Sequence, residues 1–545
     1  MKRLDKYRPT SKNNIRIAIV EDNSTARNNL RSHLMSLDNF DIASYSNGKE
    51  LRNGLRTTNF DLVFMDFHLG QAKNGVEWIQ QLMEAESFKP STGLFFITSD
   101  SLPQTIGQIL DLHPDAIMIK PYTIRGLTNN VRHYLNLRKM VLPALQQMDA
   151  GKNQEALSYI ELKLNSGVPK RLESDFIKLK GRLLLLEKDY EKATELYASV
   201  LARSNGVLWA HWGLIKSEFF TGKWEQCKTM LDGLIDESLT KDKAYEWLAT
   251  VEIGKQNYKA GEQLLDCIKE SELTIQATRL KTLCYKMQDK SKEALALLEK
   301  KVQSNLTVQE RLVDYAMELA RYHLHLAEQF TESQKEQSVS AARVMLGKAA
   351  YGINDRTAEL QKDTMLAFAC LLEDDKAKAA RIIEETSQSN HLAKANVSTL
   401  IDAVHVWFGL GQPDKANAIL DQCDEKLLAH ENHIENLIAS DLVSNTELSL
   451  GIGKERALSI NEKGLNEYEH RRFNNALSYF YRAHKMFPGV PVFALNLLQS
   501  LTDANQTEYK NVSIDELIKE LSSITLSEKN AQRMDAIKEK LMKSA

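Results

Sequence analysis

Four short apolar runs in the first quarter of the chain each end in a polar or charged residue. The runs and the residues that follow them are Ile17–Val20 with Glu21 and Asp22, Leu62–Met65 with Asp66, Leu94–Ile97 with Thr98, and Ala116–Ile119 with Lys120. Apolar runs of this length without polar alternation are typical of strands that are buried on both faces. They predict a sheet whose strands end in functional side chains.

Segments with helical spacing separate these runs, as in Ala26, Leu30 and Leu34. The predicted strands are 15–20, 41–45, 61–65, 93–98 and 115–119. Strands that alternate with helices predict an α/β domain over residues 15–139, with a doubly wound parallel sheet of five strands. Ligands bind to such sheets beyond the carboxyl ends of the strands. The polar residues named above all lie at such ends.

A different pattern begins at about residue 140, where strand signals stop and alanine, leucine, lysine and glutamate dominate. A six-residue pattern recurs there, with a turn residue first, an aromatic residue third in its clearest copies, and a small residue sixth in most. It starts at residues 151, 188, 222, 256, 289, 411 and 471. Steps of 37, 34, 34 and 33 residues separate the first five copies. This period predicts stacked helical hairpins, because one hairpin cannot bury its own apolar face.

The spacing resembles the tetratricopeptide repeat. About five units fall within 140–303 and one at 457–490, whereas 304–456 is interpreted as degenerate helical repeats or a helical insertion. Residues 491–545 are predicted to cap the array, with a charged amphipathic helix over 514–545. An irregular helical domain is the alternative interpretation. The resemblance implies an all-α superhelix whose groove binds a protein or peptide.

The first domain resembles the receiver domain of two-component response regulators. The resemblance rests on Glu21–Asp22, Asp66, Thr98 and Lys120–Pro121, and on the 22-residue step from Thr98 to Lys120. It implies a flavodoxin-like fold and a histidine kinase that phosphorylates Asp66. Each of these residues taken alone has a plainer interpretation as a turn or strand-end residue, so only the whole set indicates a phosphate site.

The resemblance also implies a Mg²⁺ site, since a carboxylate needs a cation to approach a phosphate and Mg²⁺ prefers oxygen ligands. Asp22 and Asp66 would bind the ion directly. Glu21 would bind it through water, and His68 would contribute its backbone carbonyl.

The remaining site residues would contact the phosphoryl group. Lys120 would pair with its oxygens, and Thr98 would move to hydrogen-bond it, which is the conformational signal in this family. The peptide bond before Pro121 is usually cis in the family. The family often has an aromatic residue where this chain has Ile117, and Tyr122 is not expected to replace it. We therefore expect a signal that reaches the surface of 102–112 and 115–119 by another route.

Bulk composition excludes several classes of protein. The net charge of −3 gives no global attraction to nucleic acid, and the sequence contains no apolar run long enough to span a membrane. The five cysteines form no C-x-x-C pair, which indicates reduced thiols, a cytoplasmic location and no zinc bound by them. Residues 1–14 are predicted to be a flexible leader without a secretory signal.

The sequence contains no motif of a second catalytic domain and no DNA-binding motif. We therefore predict a response regulator, not an enzyme beyond its own phosphotransfer and dephosphorylation, whose repeat region binds a protein, which could be its own kinase. Two alternatives remain open: a nucleic-acid-binding regulator, suggested by Arg471–Arg472 and Lys485, and a phosphate sink without output. A homodimer is also possible at this stage.

Overall fold

The computed structural model describes residues 15–70, 73–99, 103–110, 112–236, 240–353, 356–388, 392, 395–429 and 432–544. The predicted leader, 1–14, lies outside these ranges. Within them, no helix combines the length and the apolar character that a membrane span requires.

A five-stranded parallel sheet forms the first part of the chain. Its strands are β1 (Arg16–Val20), β2 (Asp41–Tyr45), β3 (Leu62–Asp66), β4 (Gly93–Thr98) and β5 (Ala116–Ile119), in the order β2-β1-β3-β4-β5. The helices between them are α1 (Ser24–Met35), α2 (Gly48–Leu55), α3 (Gly75–Glu84) and α4 (Pro103–Leu110). The predicted α/β fold is confirmed, and the predicted strands β1, β3 and β5 are shifted at their ends by one residue.

At two of these strand starts an aspartate side chain binds the neighbouring strand. The Asp61 carboxylate accepts a hydrogen bond of 2.9 Å from the backbone N–H of Arg16, and the Asp115 carboxylate accepts one of 2.8 Å from that of Leu94. Each aspartate therefore caps the start of the neighbouring strand with its side chain, while its own backbone N–H donates to the carbonyl of the same residue at 2.8 Å.

Alternate residues of the strands lie in two separate cores. Ile17 and Ile19 of β1 pack with Phe64 and Phe95 on one face. Ala18 and Val20, by contrast, belong to the core on the opposite face. Because both faces are buried, the polar residues of the domain collect at the ends of the strands.

Helix α5 (Ile124–Asp149) runs from the sheet into the helical region without interruption. The predicted domain boundary at 139/140 falls inside this helix. Near its middle, Arg138 lies 2.6 Å from the carboxylate of Asp61, and Tyr134 donates a 2.7 Å hydrogen bond to the carbonyl of Asp61. Beyond this point, Val141 and Ala144 belong to the first core of the helical region. The two parts of the chain thus share one helix.

Helices make up nearly all of the described chain beyond α5. They are α6 (Asn153–Asn165), α7 (Lys170–Leu186), α8 (Tyr190–Arg203), α9 (Leu208–Phe220), α10 (Trp224–Asp232), α11 (Lys241–Gly254), α12 (Tyr258–Asp266), α13 (Ile275–Met287), α14 (Ser291–Ser304), α15 (Gln309–Ala327), α16 (Glu332–Ala350), α17 (Arg356–Leu372), α18 (Lys376–Gln388), α19 (Val397–Gly409), α20 (Pro413–Ala429), α21 (His433–Ser449), α22 (Gly453–Glu469), α23 (Phe473–Met486), α24 (Pro491–Asp503), α25 (Ile514–Ser522) and α26 (Glu528–Ser544). The chain divides into two compact units, residues 1–217 with 235–243 and residues 218–234 with 244–545. We call them the first unit and the second unit.

The recurring six-residue pattern marks the turns between helices. Its first residue has a positive φ in every copy, namely Gly151, Lys188, Gly222, Gln256, Asp289, Gly411 and Arg471. At Gly222, with φ of 81°, the backbone N–H donates to the carbonyl of Phe219, and the next N–H donates to that of Glu218. This pair of bonds is the Schellman motif, which ends a helix by satisfying its last carbonyls.

The same turn occurs where the sequence gave a weaker signal. Asp374 and Gly451 have φ of 64° and 74°, and they lie between α17 and α18 and between α21 and α22. Both fall in 304–456, which was predicted as degenerate repeats or an insertion. The prediction of a long helical repeat region is confirmed.

Close helix contacts in the second unit depend on small residues. A Cβ atom on Gly464 of α22 would lie 2.7 Å from the ring of Phe480 on α23, whereas a Cβ on Gly347 of α16 would meet no atom within 4 Å. We expect Gly464→Ala to lower the free energy of unfolding by about 1–3 kcal/mol, since overpacking costs this much.

Gly347→Ala is the matched control for this change, because both glycines lie inside helices. It is expected to raise the free energy of unfolding by up to about 1 kcal/mol through helix propensity alone. Urea unfolding followed by circular dichroism measures both changes. Equal effects of the two substitutions would show that the contact with Phe480 does not limit the approach of α22 and α23.

The C-terminal part differs from the prediction. Residues 514–545 were expected to form one helix, but α25 and α26 are separate. Leu517 and Leu521 of α25 and Met534 and Ile537 of α26 all enter the core around α24. The chain turns between the two helices, and in this way both apolar faces reach α24.

A short hairpin of β6 (Glu508–Tyr509) and β7 (Val512–Ser513) precedes α25, and it was not predicted. Its strands are too short to show alternation. At its turn, the Lys510 N–H donates a 2.5 Å hydrogen bond to the Gly222 carbonyl. A Cβ on Gly222 would lie 2.6 Å from the ring of Tyr509. Within the second unit, the absence of a side chain at Gly222 therefore makes room for this hairpin.

Candidate functional site

Charged side chains meet at the carboxyl end of the sheet. Glu21 and Asp22 follow β1, Asp66 ends β3, and Lys120 follows β5. The Lys120 ammonium lies 2.6 Å from a Glu21 oxygen and 3.0 Å from Oδ2 of Asp66. One cation thus bridges two carboxylates that are 99 and 54 residues away from it in sequence.

Asp66 lies in an unusual environment for a carboxylate. Only 6% of its side chain is exposed, and its Oδ1 has no hydrogen-bond partner within the described part of the chain. Burial, and then the nearby charge of Glu21, raise the pKa of Asp66 to about 7, and Lys120 only partly opposes them. A bound cation at this place would favour the ionised form.

The three acidic side chains form a group that fits a hard divalent cation. Carboxylate oxygens of Glu21, Asp22 and Asp66 lie within 4.8 Å of one another. Glu21 and Asp66 are buried and Asp22 is exposed, so the group is open to solvent on one side. Oxygen ligands of this kind suit Mg²⁺, and the unpaired Oδ1 of Asp66 is available to it.

The other predicted site residues take different places. Thr98 is fully buried, and its carbonyl accepts a 2.7 Å hydrogen bond from the Lys120 N–H, which fixes the start of the β5–α5 loop. His68 is exposed, with its ring against Phe67. The Lys120–Pro121 peptide bond is cis, as expected.

The position of the family's aromatic switch residue is occupied by an aliphatic side chain. Ile117 pairs with Phe96 in the β4–β5 ladder and packs in the core that contains Val20. Tyr122 packs in the opposite core, and its hydroxyl lies 3.4 Å from the ring nitrogen Nδ1 of His33. Tyr122 therefore does not replace the missing aromatic residue next to Thr98.

Two residues that support the site were not recognised in the sequence. Arg27 of α1 donates hydrogen bonds to the carbonyls of Glu21 and Asp22, at 2.5 and 3.3 Å. Gly75 opens α3 directly beneath the acceptor, where a Cβ would lie 2.2 Å from the carbonyl oxygen of Asp66. Single arginines and glycines are common in loops, so neither gave a signal without the fold.

Comparison with known families identifies this domain. Residues 17–132 match the family model described as "Response regulator receiver domain". This part of the chain is a receiver domain. A receiver domain is a phosphotransfer domain, and the acidic group and Lys120 lie at the carboxyl edge of its sheet. A search among curated proteins finds no match to the chain.

Several solved structures are similar to parts of this chain. The BeF3-activated receiver domain of DrrB is 20% identical, with 23% of this chain and 98% of that chain covered and a TM-score of 0.20. RcsB from Salmonella enterica serovar Typhimurium, bound to promoter rprA, is 16% identical, with 31% and 99% covered and a TM-score of 0.20. A tetratricopeptide repeat protein from Parabacteroides merdae is 14% identical, with 47% and 93% covered and a TM-score of 0.32. At these scores, none of the three indicates what this chain binds.

Proposed function

We propose that the protein is a cytoplasmic response regulator that a histidine kinase phosphorylates on Asp66, and that signals through protein binding by its repeat region. The observation that carries the proposal is the buried Asp66 carboxylate, held by Lys120 beside two further acidic groups. This arrangement can take up a phosphoryl group and balance its charge. None of the five cysteines, all of which lie in the described part of the chain, forms a disulfide, which supports a reducing compartment.

Each side chain has a defined role in the proposed reaction. The Asp66 carboxylate attacks phosphorus, the O–P bond forms as the P–N bond of phosphohistidine breaks, and the histidine nitrogen keeps the electron pair and is protonated. Lys120 is placed to pair with the phosphoryl oxygens, since it already contacts Asp66. Thr98 lies at the end of the adjacent strand β4, and we expect its hydroxyl to move and hydrogen-bond the phosphoryl group.

Asp22 and Asp66 would bind Mg²⁺ directly and Glu21 through water, and the His68 carbonyl would complete the protein ligands. The bound ion would supply positive charge that screens the incoming phosphate from these carboxylates. Arg27 keeps the Glu21–Asp22 backbone in place through its two hydrogen bonds.

Two contacts inside the first unit join α7 to helix α5 and to the loop before β5, and they support a route from the receiver domain to the repeats. His133 on α5 lies 2.9 Å from the carboxylate of Asp175 on α7, and Lys178 of α7 donates a 3.3 Å hydrogen bond to the carbonyl of Pro114. Pro114 lies just before β5, the strand that leads to Lys120. We infer that a shift of Lys120 on phosphorylation reaches α7 through β5 and the loop before it. This route needs no aromatic residue at Ile117.

The alternative of nucleic-acid binding loses part of its motivation. Arg472, one of the basic residues that suggested it, lies 3.2 Å from the carboxylate of Glu467. Its charge is therefore partly offset within its own hairpin, where its side chain stays 62% exposed.

Phosphorylation by a small phosphodonor tests the proposed acceptor. Full-length protein with Mg²⁺ and acetyl phosphate is expected to gain one phosphoryl group by intact-protein mass spectrometry, and Asp66→Asn is expected to gain none. Asp41→Asn is the matched control, because Asp41 is an exposed aspartate at the opposite end of the sheet. Modification of Asp66→Asn at the rate of the wild type would exclude Asp66 as the acceptor.

Hydrogen exchange in the same samples tests the output. Phosphorylation is expected to change the exchange of amides in α7 and in residues 113–115 of the wild type but not of Asp66→Asn. Phosphorylation without any such change would support a phosphate sink and contradict signalling through the repeats.

A further inference from the structure

Two histidines and a glutamate of the second unit converge at a place that the proposed signalling does not use. His325 lies near the end of α15, Glu328 follows that helix, and His405 lies on α19. Nδ1 of His405 is 2.8 Å from Oε1 of Glu328, and Nδ1 of His325 is 3.7 Å from Oε2 of the same carboxylate. One potential ligand atom from each of the three lies within 4.8 Å of the others. We call these three residues the His–Glu–His cluster.

The second nitrogen of each imidazole faces a polar group outside the cluster. Nε2 of His405 is 3.4 Å from the hydroxyl of Thr446, and Nε2 of His325 is 3.8 Å from the carboxylate of Asp402. Asp402 is fully buried and is itself held by Arg321 at 3.0 Å. Histidines that bind a metal through one nitrogen commonly present the other to a carboxylate or another polar partner. Both second nitrogens have such a polar group within 4 Å.

Hydrogen bonds alone do not account for the positions of all three side chains in the cluster. The contact of His405 with Glu328 is a normal hydrogen bond, but the 3.7 Å separation of His325 from Glu328 is too long for one. Nε2 of His325 is buried and has no hydrogen-bond partner within the described residues. An ion bound at Nδ1 would place the ring proton on Nε2, where it faces Asp402.

The rings are held in place next to a partly exposed carboxylate. Phe368 stacks on His405 with ring centroids 5.1 Å apart, and its ring is 5.8 Å from that of His325. His405 is 4% exposed at its side chain, whereas the side chain of Glu328 is 32% exposed. An ion could thus enter from the side of Glu328 and reach two nitrogens that are fixed by packing.

We propose that His325, Glu328 and His405 bind a divalent transition-metal ion of the zinc type. Two imidazoles and one carboxylate are a ligand set for Zn²⁺ and for its first-row neighbours, and imidazole nitrogens do not favour Mg²⁺. Ligand atoms lie about 2.0–2.2 Å from zinc, so the three side chains, whose ligand atoms now lie within 4.8 Å of one another, must move closer together on binding. The ion would link α15 to α19, which are far apart in sequence. The site is independent of Asp66 and of the proposed function.

Cobalt titration of the full-length protein tests the site. Protein without an affinity tag, in a Cys267→Ser background that removes the exposed thiol, is treated with chelator and then titrated with Co²⁺ in excess Mg²⁺. One equivalent of Co²⁺ is expected to bind with visible absorbance, and Zn²⁺ is expected to displace it. The excess Mg²⁺ keeps the acidic group of the receiver domain occupied.

Variants locate the bound ion. His325→Gln, His405→Gln and Glu328→Gln are each expected to weaken Co²⁺ binding about tenfold or more. His323→Gln, on the same helix but outside the cluster, and Asp66→Asn are expected to bind as the wild type does. Zn²⁺ is expected to raise the melting temperature of the wild type but not of Glu328→Gln, whose partly exposed side chain is the least disruptive to replace. Absence of Co²⁺ binding, or binding that all three cluster variants retain, would overturn the proposal.

Discussion

Replacing Arg482 with methionine is expected to lower the free energy of unfolding of the second unit by about 3–5 kcal/mol. Arg482 is buried and contacts Asp424 and, at 2.7 Å, Glu447. These two carboxylates are at most 1% exposed at their side chains. Arg456 and Lys463 complete a network in which three cations face three acidic groups, the third being Asp421. Removal of one cation leaves an unbalanced buried negative charge, which is the costly outcome for an ion network.

An exposed pair provides the control for this prediction. Arg343 contacts Glu373 through two hydrogen bonds of 2.7 and 2.5 Å, but both side chains are about a third exposed or more. Arg343→Met is expected to cost no more than about 1 kcal/mol. Urea unfolding followed by circular dichroism compares the two, with an expected midpoint shift of about 1–2 M for Arg482→Met. Equal midpoints of the two variants would show that burial of the network adds nothing.

The same charge network also predicts how the stability of the second unit changes as the pH falls. Burial acts to raise the pKa of Asp424, but Arg482 and Arg456 outweigh it and the pKa is lowered. A lowered pKa in the folded state stabilises the protein above the pKa of the unfolded chain, about 3.9, and this stabilisation is lost as the pH falls through the folded value. In Arg482→Met the pKa of Asp424 is expected to be lowered less, so this contribution to stability is smaller and its loss is complete at a higher pH.

Replacing Gly75 with alanine is expected to slow phosphorylation of Asp66 by about 100-fold or more. The new Cβ would lie 2.2 Å from the carbonyl oxygen of Asp66, 2.8 Å from Cγ of Met65 and 3.1 Å from the ring of Phe96. The nearest of these atoms belongs to the backbone, so the start of α3 or the end of β3 has to move. Displacement of a reacting group by about 1 Å is enough for an effect of this size.

Phosphorylation rates with acetyl phosphate and Mg²⁺ measure the change. Gly206→Ala, in the same unit, is the control, because its Cβ would meet no atom within 4 Å. Circular dichroism establishes whether Gly75→Ala remains folded. A folded Gly75→Ala variant with the wild-type rate would show that the α3–Asp66 contact does not position the acceptor.

Local sequence patterns were sufficient to predict the folds of both parts of the chain. The parallel sheet follows from apolar runs that need cover on both faces, and the turns of the repeats follow from a six-residue pattern whose first residue takes positive φ. Strand ends were less well determined, because the carboxylates of Asp61 and Asp115 bind backbone N–H groups at the starts of the neighbouring strands, which the apolar pattern does not show. The short β6–β7 hairpin gave no periodic signal at all.

The sequence by itself determined which residues collect at the carboxyl edge of the sheet, because strand direction and strand order bring Glu21, Asp22, Asp66 and Lys120 together. Only the tertiary structure decided the contact of α7 with the β5 side of the receiver domain, the charge network around Arg482 and the meeting of His325 with His405. Each of these depends on the packing of helices that are distant in sequence, and such packing leaves no period or spacing by which the partners can be recognised. The two histidines are 80 residues apart and resemble any other histidines on apolar helices until the chain is folded.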